Sequence, residues 1–194
     1  MLAALYLRKL VVVISPLISL MQDQVMTLNR TVGTAYGRDV AVYLGSAQTD
    51  RSAEGRAYAG EYLLVYASPE KLLGSGMLDA MAGLRRQGRL ALVAVDEAHC
   101  VSQWGHDFRP EYFKLGAIRR AIPDVPLMAL TATAVPRVQQ DIVQSLCMHQ
   151  SGPKRVFSHL RSFDRPNLAL VVHAKKDLAG LDEGILALSL SNHG

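Results

Sequence analysis

Five short apolar runs punctuate this chain, and amphipathic stretches separate them. Residues 10–14 read Leu-Val-Val-Val-Ile, a largely β-branched run that predicts a buried strand. Ser15-Pro16 follows, a serine suited to a helix N-cap and a proline suited to the first helical position. Leu17, Leu20, Met21, Val25 and Leu28 then recur at helical spacing. Residues 40–44 form a second apolar run, stopped by Gly45-Ser46, and residues 51–58 suit a short helix. A third strand is predicted at 62–66, and Ser68-Pro69 repeats the strand, Ser-Pro, helix arrangement. The fourth run is 90–95, a helix is predicted over 110–122, and the fifth run, 126–130, leads into Thr131-Ala132-Thr133. A further helix starts at Thr133 or Ala134, with Thr133 as its cap and Pro136 near its first turn, and ends about Cys147. Beyond Gly152-Pro153, a short strand is expected at the end of segment 162–172, and the last twenty residues read as a frayed tail or half a helix.

Strands that are apolar throughout need cover on both faces, and strands that alternate with helices pair in parallel. The pattern therefore predicts an α/β fold, a mainly parallel sheet between two helical layers. Ligands of such sheets gather beyond the C-terminal strand ends. The residues predicted there are Ser15-Pro16, Ser68-Pro69-Glu70, Asp96-Glu97 and Thr131-Ala132-Thr133, so the polar chemistry shares one rim.

Composition changes this picture little. The 194 residues, 49% apolar and 20% charged, suffice for one domain with a core. A net charge of +4 is compatible with nucleic acid without requiring it. Two cysteines, Cys100 and Cys147, provide no disulfide framework, and Cys100, His99 and His106 lack the paired clusters of a structural zinc site. The N-terminal apolar run lacks charge before Arg8 and a clean cleavage site, so a buried strand accounts for it better than a signal peptide does. No run of eighteen apolar residues predicts a membrane span.

Chemistry concentrates in residues 90–112, LALVAVDEAHCVSQWGHDFRPEY. The buried strand ends on adjacent carboxylates, which suit Mg²⁺ held through water and the activation of a water against a phosphoryl group. A bare Asp-Glu pair also serves simply to cap the next turn. The loop that follows carries Trp104, His106, Phe108, Arg109 and Tyr112. Aromatic rings stack on any base and a guanidinium pairs with phosphate, so the loop suits sequence-independent binding of single strands, with core packing of Trp104 and Phe108 the plain alternative. Thr131 and Thr133 either link the acidic pair to a nucleic-acid path or cap a helix. Ser15 and Ser68 are expected as caps, which leaves two helix N-termini pointing N–H groups at the rim where a phosphate backbone could lie. Arg85, Arg86 and Arg89, and Arg119 with Arg120, are expected on solvated faces.

The stretch DEAHCVSQWGHDFRPEY resembles motif II and the aromatic-rich loop of RecQ-family DNA helicases, superfamily 2 enzymes that move 3′ to 5′ on single-stranded DNA. VVVISPLISLMQDQV resembles motif Ia, YASPEKL motif Ib, LMALTATA motif III, and SFDRPNL the segment closing the first RecA-like lobe. The resemblance spans residues 10 to 172 in the family's order. It implies a RecA-like fold of the P-loop NTPase type, ATP and Mg²⁺ as cofactors, and single-stranded or duplex DNA as partner. It implies that Asp96 ligates Mg²⁺ through water, that Glu97 polarises the attacking water, and that His99 couples the nucleotide site to the motor. Trp104, Phe108 and Arg109 would sense single-stranded DNA, Ser15, Pro16 and Ser68 would lie on its path, and Thr131 and Thr133 would serve the nucleotide site. Family members work in the nucleus of eukaryotes and the cytoplasm of bacteria.

Such a helicase also needs a Gly-x-x-x-x-Gly-Lys-Ser/Thr phosphate loop upstream of the first strand, and these 194 residues contain none. The expectation is therefore a partial first lobe over residues 1–173, with 174–194 a tail or the start of an interlobe linker, and a second lobe required but not present. The missing neighbour strand is expected to leave a hydrophobic sheet edge. The competing reading is a non-catalytic single-stranded nucleic-acid-binding or interaction module that uses the aromatic loop without nucleotide.

Overall fold

The computed structural model describes residues 2–46, 48–74, 76–105, 107–132, 135–148, 156–161 and 167–168. The chain divides into two compact units, Met1–Val156 and Phe157–Gly194. Among the described residues of the second unit none is helical or strand. The strand expected near 169–172, the 174–194 tail and Thr133 lie outside the described residues.

The first unit is built on five strands: β1 (Leu10–Ile14), β2 (Ala41–Leu44), β3 (Leu64–Ala67), β4 (Leu90–Val95) and β5 (Leu127–Ala129). Their order is β2-β3-β1-β4-β5 and every pairing is parallel. Four strands fall where the apolar runs predict them. The third starts two residues later than expected, because the Leu63 and Leu64 amides both turn to the Val40 carbonyl before the ladder begins.

Side-chain alternation divides the core. Leu10, Val12 and Ile14 face one helical layer together with Val42, Leu44, Val65, Val93 and Val95. Val11 faces the other with Ala41, Leu64, Tyr66, Met21 and Leu28. The helices are α1 (Leu2–Leu7), α2 (Ile18–Leu28), α3 (Thr34–Tyr36), α4 (Ala53–Tyr58), α5 (Pro69–Gly74), α6 (Met77–Arg86), α7 (Pro110–Phe113), α8 (Ala117–Ala121) and α9 (Pro136–Ser145). A π turn, Asn29–Gly33, joins α2 to α3. There the Asn29 amide accepts from the Val40 and Ala41 N–H groups and donates to the Ala41 carbonyl, which pins the start of β2.

Several expectations need correction. The N-terminal apolar run, assigned to a buried strand, opens with a helix the pattern did not predict, α1, whose Ala4 is buried in one cluster with Val11. The helix over 110–122 is interrupted by a 3₁₀ turn, Lys114–Gly116. A Cβ on Gly116 would lie 2.7 Å from the Ser145 carbonyl oxygen, so the chain kinks where two backbones touch. The N-cap of α9 falls on Val135 and not on Thr133. Arg119 is not on a solvated face: it is buried, and its Nη1 donates to the Pro123 and Val125 carbonyls. Arg89 does stay on the exposed surface, where it donates to the Ala59 and Gly60 carbonyls and closes the end of α4. β5 ends the sheet among the described residues, with Met128 and Leu130 each 45% exposed along it.

Candidate functional site

Because all five strands are parallel, their C-terminal ends share one rim, and the strand order decides which ends are neighbours. β4 lies between β1 and β5. The Asp96 amide donates to the Ile14 carbonyl at 2.8 Å, and the Leu130 amide donates to the Val95 carbonyl at 2.9 Å. The first strand's exit, the carboxylate pair and Thr131 thereby come together.

At the end of β4 the chain turns sharply. Glu97 adopts φ 47 and ψ 43, a left-handed conformation that costs a non-glycine residue about 1–2 kcal/mol. The turn is held by the Asp96 Oδ1, which accepts the Glu97 N–H at 3.0 Å, and by the Ala98 amide, which donates to the Leu130 carbonyl. A 3₁₀ turn, Ala98–Val101, follows. His99 is only 5% exposed, and its Nδ1 stands 2.9 Å from Thr131 Oγ1 and 3.2 Å from Glu97 Oε2. The acidic turn and the end of β5 thus meet on one imidazole nitrogen. Beneath them Tyr112, fully buried, donates its hydroxyl to the Asp96 carbonyl at 3.1 Å. Burial, with the nearby charges of Cys100 and Asp96, pushes the Tyr112 phenol well above its usual range, so it stays a donor. Tyr66 is raised as well, first by burial and then by the Asp96 charge.

The loop beyond this turn faces solvent. Trp104 is 73% exposed, which excludes the core-packing alternative, and Phe108 is also exposed. Arg109 is tied to Asp107 Oδ2 through Nε and Nη2, and its Nη1 reaches the Pro16 carbonyl at 3.4 Å. The Asp107 hydrogen bond raises the Arg109 pKa, so its charge is permanent. The loop after β4 therefore touches the loop after β1, although 93 residues separate them. His106 lies outside the described residues.

The two Ser-Pro pairs diverge. Ser68 Oγ accepts the Lys71 N–H at 3.2 Å, the expected cap of α5. Ser15 caps nothing: α2 starts at Ile18 with Leu17 as its N-cap, and no side chain caps it. The Ser15 hydroxyl is 2% exposed and finds no hydrogen-bond partner. The Ser15 amide is drawn instead to the Ala67 carbonyl, which extends β1 and delays the helix. Among the described residues no group of three His, Cys, Asp or Glu side chains converges as a metal site. Two positioning contacts escaped the sequence reading: Tyr112 to Asp96, and the buried Ser102, whose Oγ donates to Asp141 Oδ2 at 2.6 Å. Neither Ser102 nor Asp141 carries a local signal, because they meet only through the packing of α9.

The model of the DEAD/DEAH box helicase family matches residues 1–142. The chain belongs to that family. Within it, the relatives are of the RecQ type, as the motifs imply. The ATP-dependent DNA helicase RecQ of Haemophilus influenzae is 41% identical over 92% of this chain. The ATP-dependent DNA helicase Q-like SIM of Arabidopsis thaliana is 44% identical over 91% of it. The chain spans 27% and 20% of the lengths of those two relatives. Among solved structures, the DEAD-box helicase Mss116 bound to ssRNA and UDP-BeF superposes with a TM-score of 0.51 at 17% identity, covering 71% of this chain and 28% of that one. The DUF1998 helicase MrfA bound to DNA and AMPPNP gives 0.50 at 14% identity, over 70% and 19%. These two likenesses establish the RecA-like helicase fold. No helix among the described residues of this family member is long and apolar enough to cross a membrane.

Proposed function

We propose that this chain supplies part of the first lobe of a RecQ-like, ATP-dependent 3′–5′ DNA helicase, residues 1–173 forming the lobe and 174–194 a tail, with a second RecA-like lobe as its working partner. The observation that carries the reading is the junction at His99, where the acidic turn, the strand leading to Thr131 and the exposed Trp104 loop share one short segment.

In this reading Asp96 holds Mg²⁺ through water. A single hard carboxylate at a strand end fits an ion that keeps its waters and leans on substrate phosphates. When bound, the ion neutralises charge on the nucleotide's phosphates. Glu97 orients the attacking water, and its strained backbone presents the carboxylate beyond the strand. His99 and Thr131 communicate that state across β4 and β5, and Thr133 serves the same nucleotide site. Trp104 and Phe108 stack on bases, while Arg109, Ser15, Pro16 and Ser68 line the backbone path. Such a protein works in the nucleus of a eukaryote or the cytoplasm of a bacterium.

The test is unwinding by the full-length protein of a duplex with a 3′ tail. Activity that needs ATP and is abolished by Glu97→Gln, with single-strand binding retained, supports the reading; unwinding that survives the substitution overturns it. The 194 residues alone lack a Gly-x-x-x-x-Gly-Lys-Ser/Thr loop and are expected to turn over no ATP. DNA-stimulated turnover by them that vanishes on Glu97→Gln would overturn that expectation.

A further inference from the structure

Ser102 is a buried serine whose hydroxyl both donates and accepts a hydrogen bond. It is 1% exposed, donates to Asp141 Oδ2 at 2.6 Å and accepts the Trp104 N–H at 3.1 Å. A hydroxyl offers one donor and two acceptor sites, so a single oxygen joins the backbone of the exposed ring to a carboxylate on α9. The bond to Asp141 is charge-assisted and short, the strong kind. On the same 3₁₀ turn, His99 meets Thr131, four residues before the α9 N-cap. The segment Ala98–Val101 is therefore bound at both ends to one stretch of chain, at Thr131 and at Asp141. Asp141 also faces Arg137 one turn earlier on α9, at 3.6 Å.

We propose that Ser102 and Asp141 are positioning residues: their bond sets how Trp104 is presented to a single strand and couples the ring's engagement to α9 and Thr131. The proposal rests on the single-strand reading of the Trp104 loop. The Trp104 N–H donates to Ser102 Oγ while its ring is exposed, so this bond holds the stretch of backbone from which the ring projects.

Trp104 is the sole tryptophan, so its fluorescence reports this loop alone. The experiment measures Trp104 anisotropy without DNA, affinity for oligodeoxythymidylate at low salt, and urea unfolding, in wild type, Ser102→Ala, Asp141→Ala, Asp141→Asn and the Ser102→Ala/Asp141→Ala double variant. The expected result is lower anisotropy and about fivefold weaker binding in each alanine variant. The double variant should be no worse than either single one, and Asp141→Asn, which keeps an acceptor, should recover most of the loss. Should Ser102→Ala not fold, the two Asp141 variants decide alone. Unchanged anisotropy and affinity in the folded variants, additive losses, or a fall in urea stability without any change at Trp104 would overturn the proposal. Failure of the wild type to bind the oligonucleotide would remove the parent reading, and the anisotropy without DNA would still decide whether the bond holds the ring.

Discussion

The Nδ1 of His99 lies 2.9 Å from the hydroxyl of Thr131, a contact between residues 32 apart that joins the acidic turn after β4 to the end of β5. Replacing Thr131 with valine keeps the shape and removes the hydroxyl, leaving Glu97 as the neighbour of that nitrogen. The expected cost is about 1 kcal/mol, read as a lower urea midpoint at constant m-value. An unshifted midpoint would mean that the bond adds nothing to the folded state.

Glu97 holds a left-handed backbone conformation that glycine adopts freely. Both Glu97→Ala and Glu97→Gly lose the carboxylate beside His99, so their difference isolates the backbone. The glycine variant should be more stable than the alanine variant by about 1 kcal/mol in chemical denaturation. Equal stabilities would show the turn to be unstrained.

Trp104 and Arg109 should separate stacking from charge. Trp104→Ala removes an exposed ring and should change stability by under about 0.5 kcal/mol. It should weaken binding of a labelled single-stranded oligonucleotide by about 1–3 kcal/mol. Arg109→Ala should reduce the slope of log affinity against log salt by about 0.7, the share of one phosphate contact on a single strand. A slope that stays put would place Arg109 off the strand's path.

Gly105 is required by close backbone approach. A Cβ there would sit 2.6 Å from the His99 carbonyl oxygen and 3.2 Å from that of Ser102, and neither atom can swing aside as a side chain would. Gly105→Ala should destabilise the protein by about 1–3 kcal/mol in thermal unfolding and disturb the Trp104 loop with it. Full retention of the melting temperature would contradict this packing.

The two cysteines should differ in reactivity. Burial, helped by the charge of Asp107, pushes the Cys100 thiol up to about 11. A raised thiol pKa keeps the protonated, unreactive form dominant until the pH approaches that value. At pH 8 an alkylating agent should label Cys147, which is partly exposed, well before Cys100. Equal labelling of native protein, read by peptide mass, would show that the turn around Cys100 opens readily.

How much of this was legible in advance depends on the range of the interaction concerned. The apolar runs at 10–14 and 90–95 became β1 and β4 at those limits, because a strand buried on both faces must be apolar at every position. Parallel pairing then followed from the alternation with helices, and so did the shared rim. The stretch around Asp96, Glu97 and Trp104 pointed to its family because its residues are contiguous. Ser68 behaved as its local signal predicts, since an N-cap bond closes within three residues. Ser15, in the same Ser-Pro context, did not, because the neighbouring strand β3 claimed its amide. Arg119 left the solvated face because two carbonyls beyond its helix accept its guanidinium.

By itself the sequence determined the five strands, the α/β class, the family and the identity of the chemical groups, all properties of short windows and their order. Only the tertiary structure decided that β4 lies between β1 and β5, and hence that His99 meets Thr131, Arg109 meets Pro16 and Ser102 meets Asp141. Those contacts join residues 32, 93 and 39 apart. They form when packing of the sheet and α9 overcomes the entropy of closing such loops, and no local pattern encodes that balance.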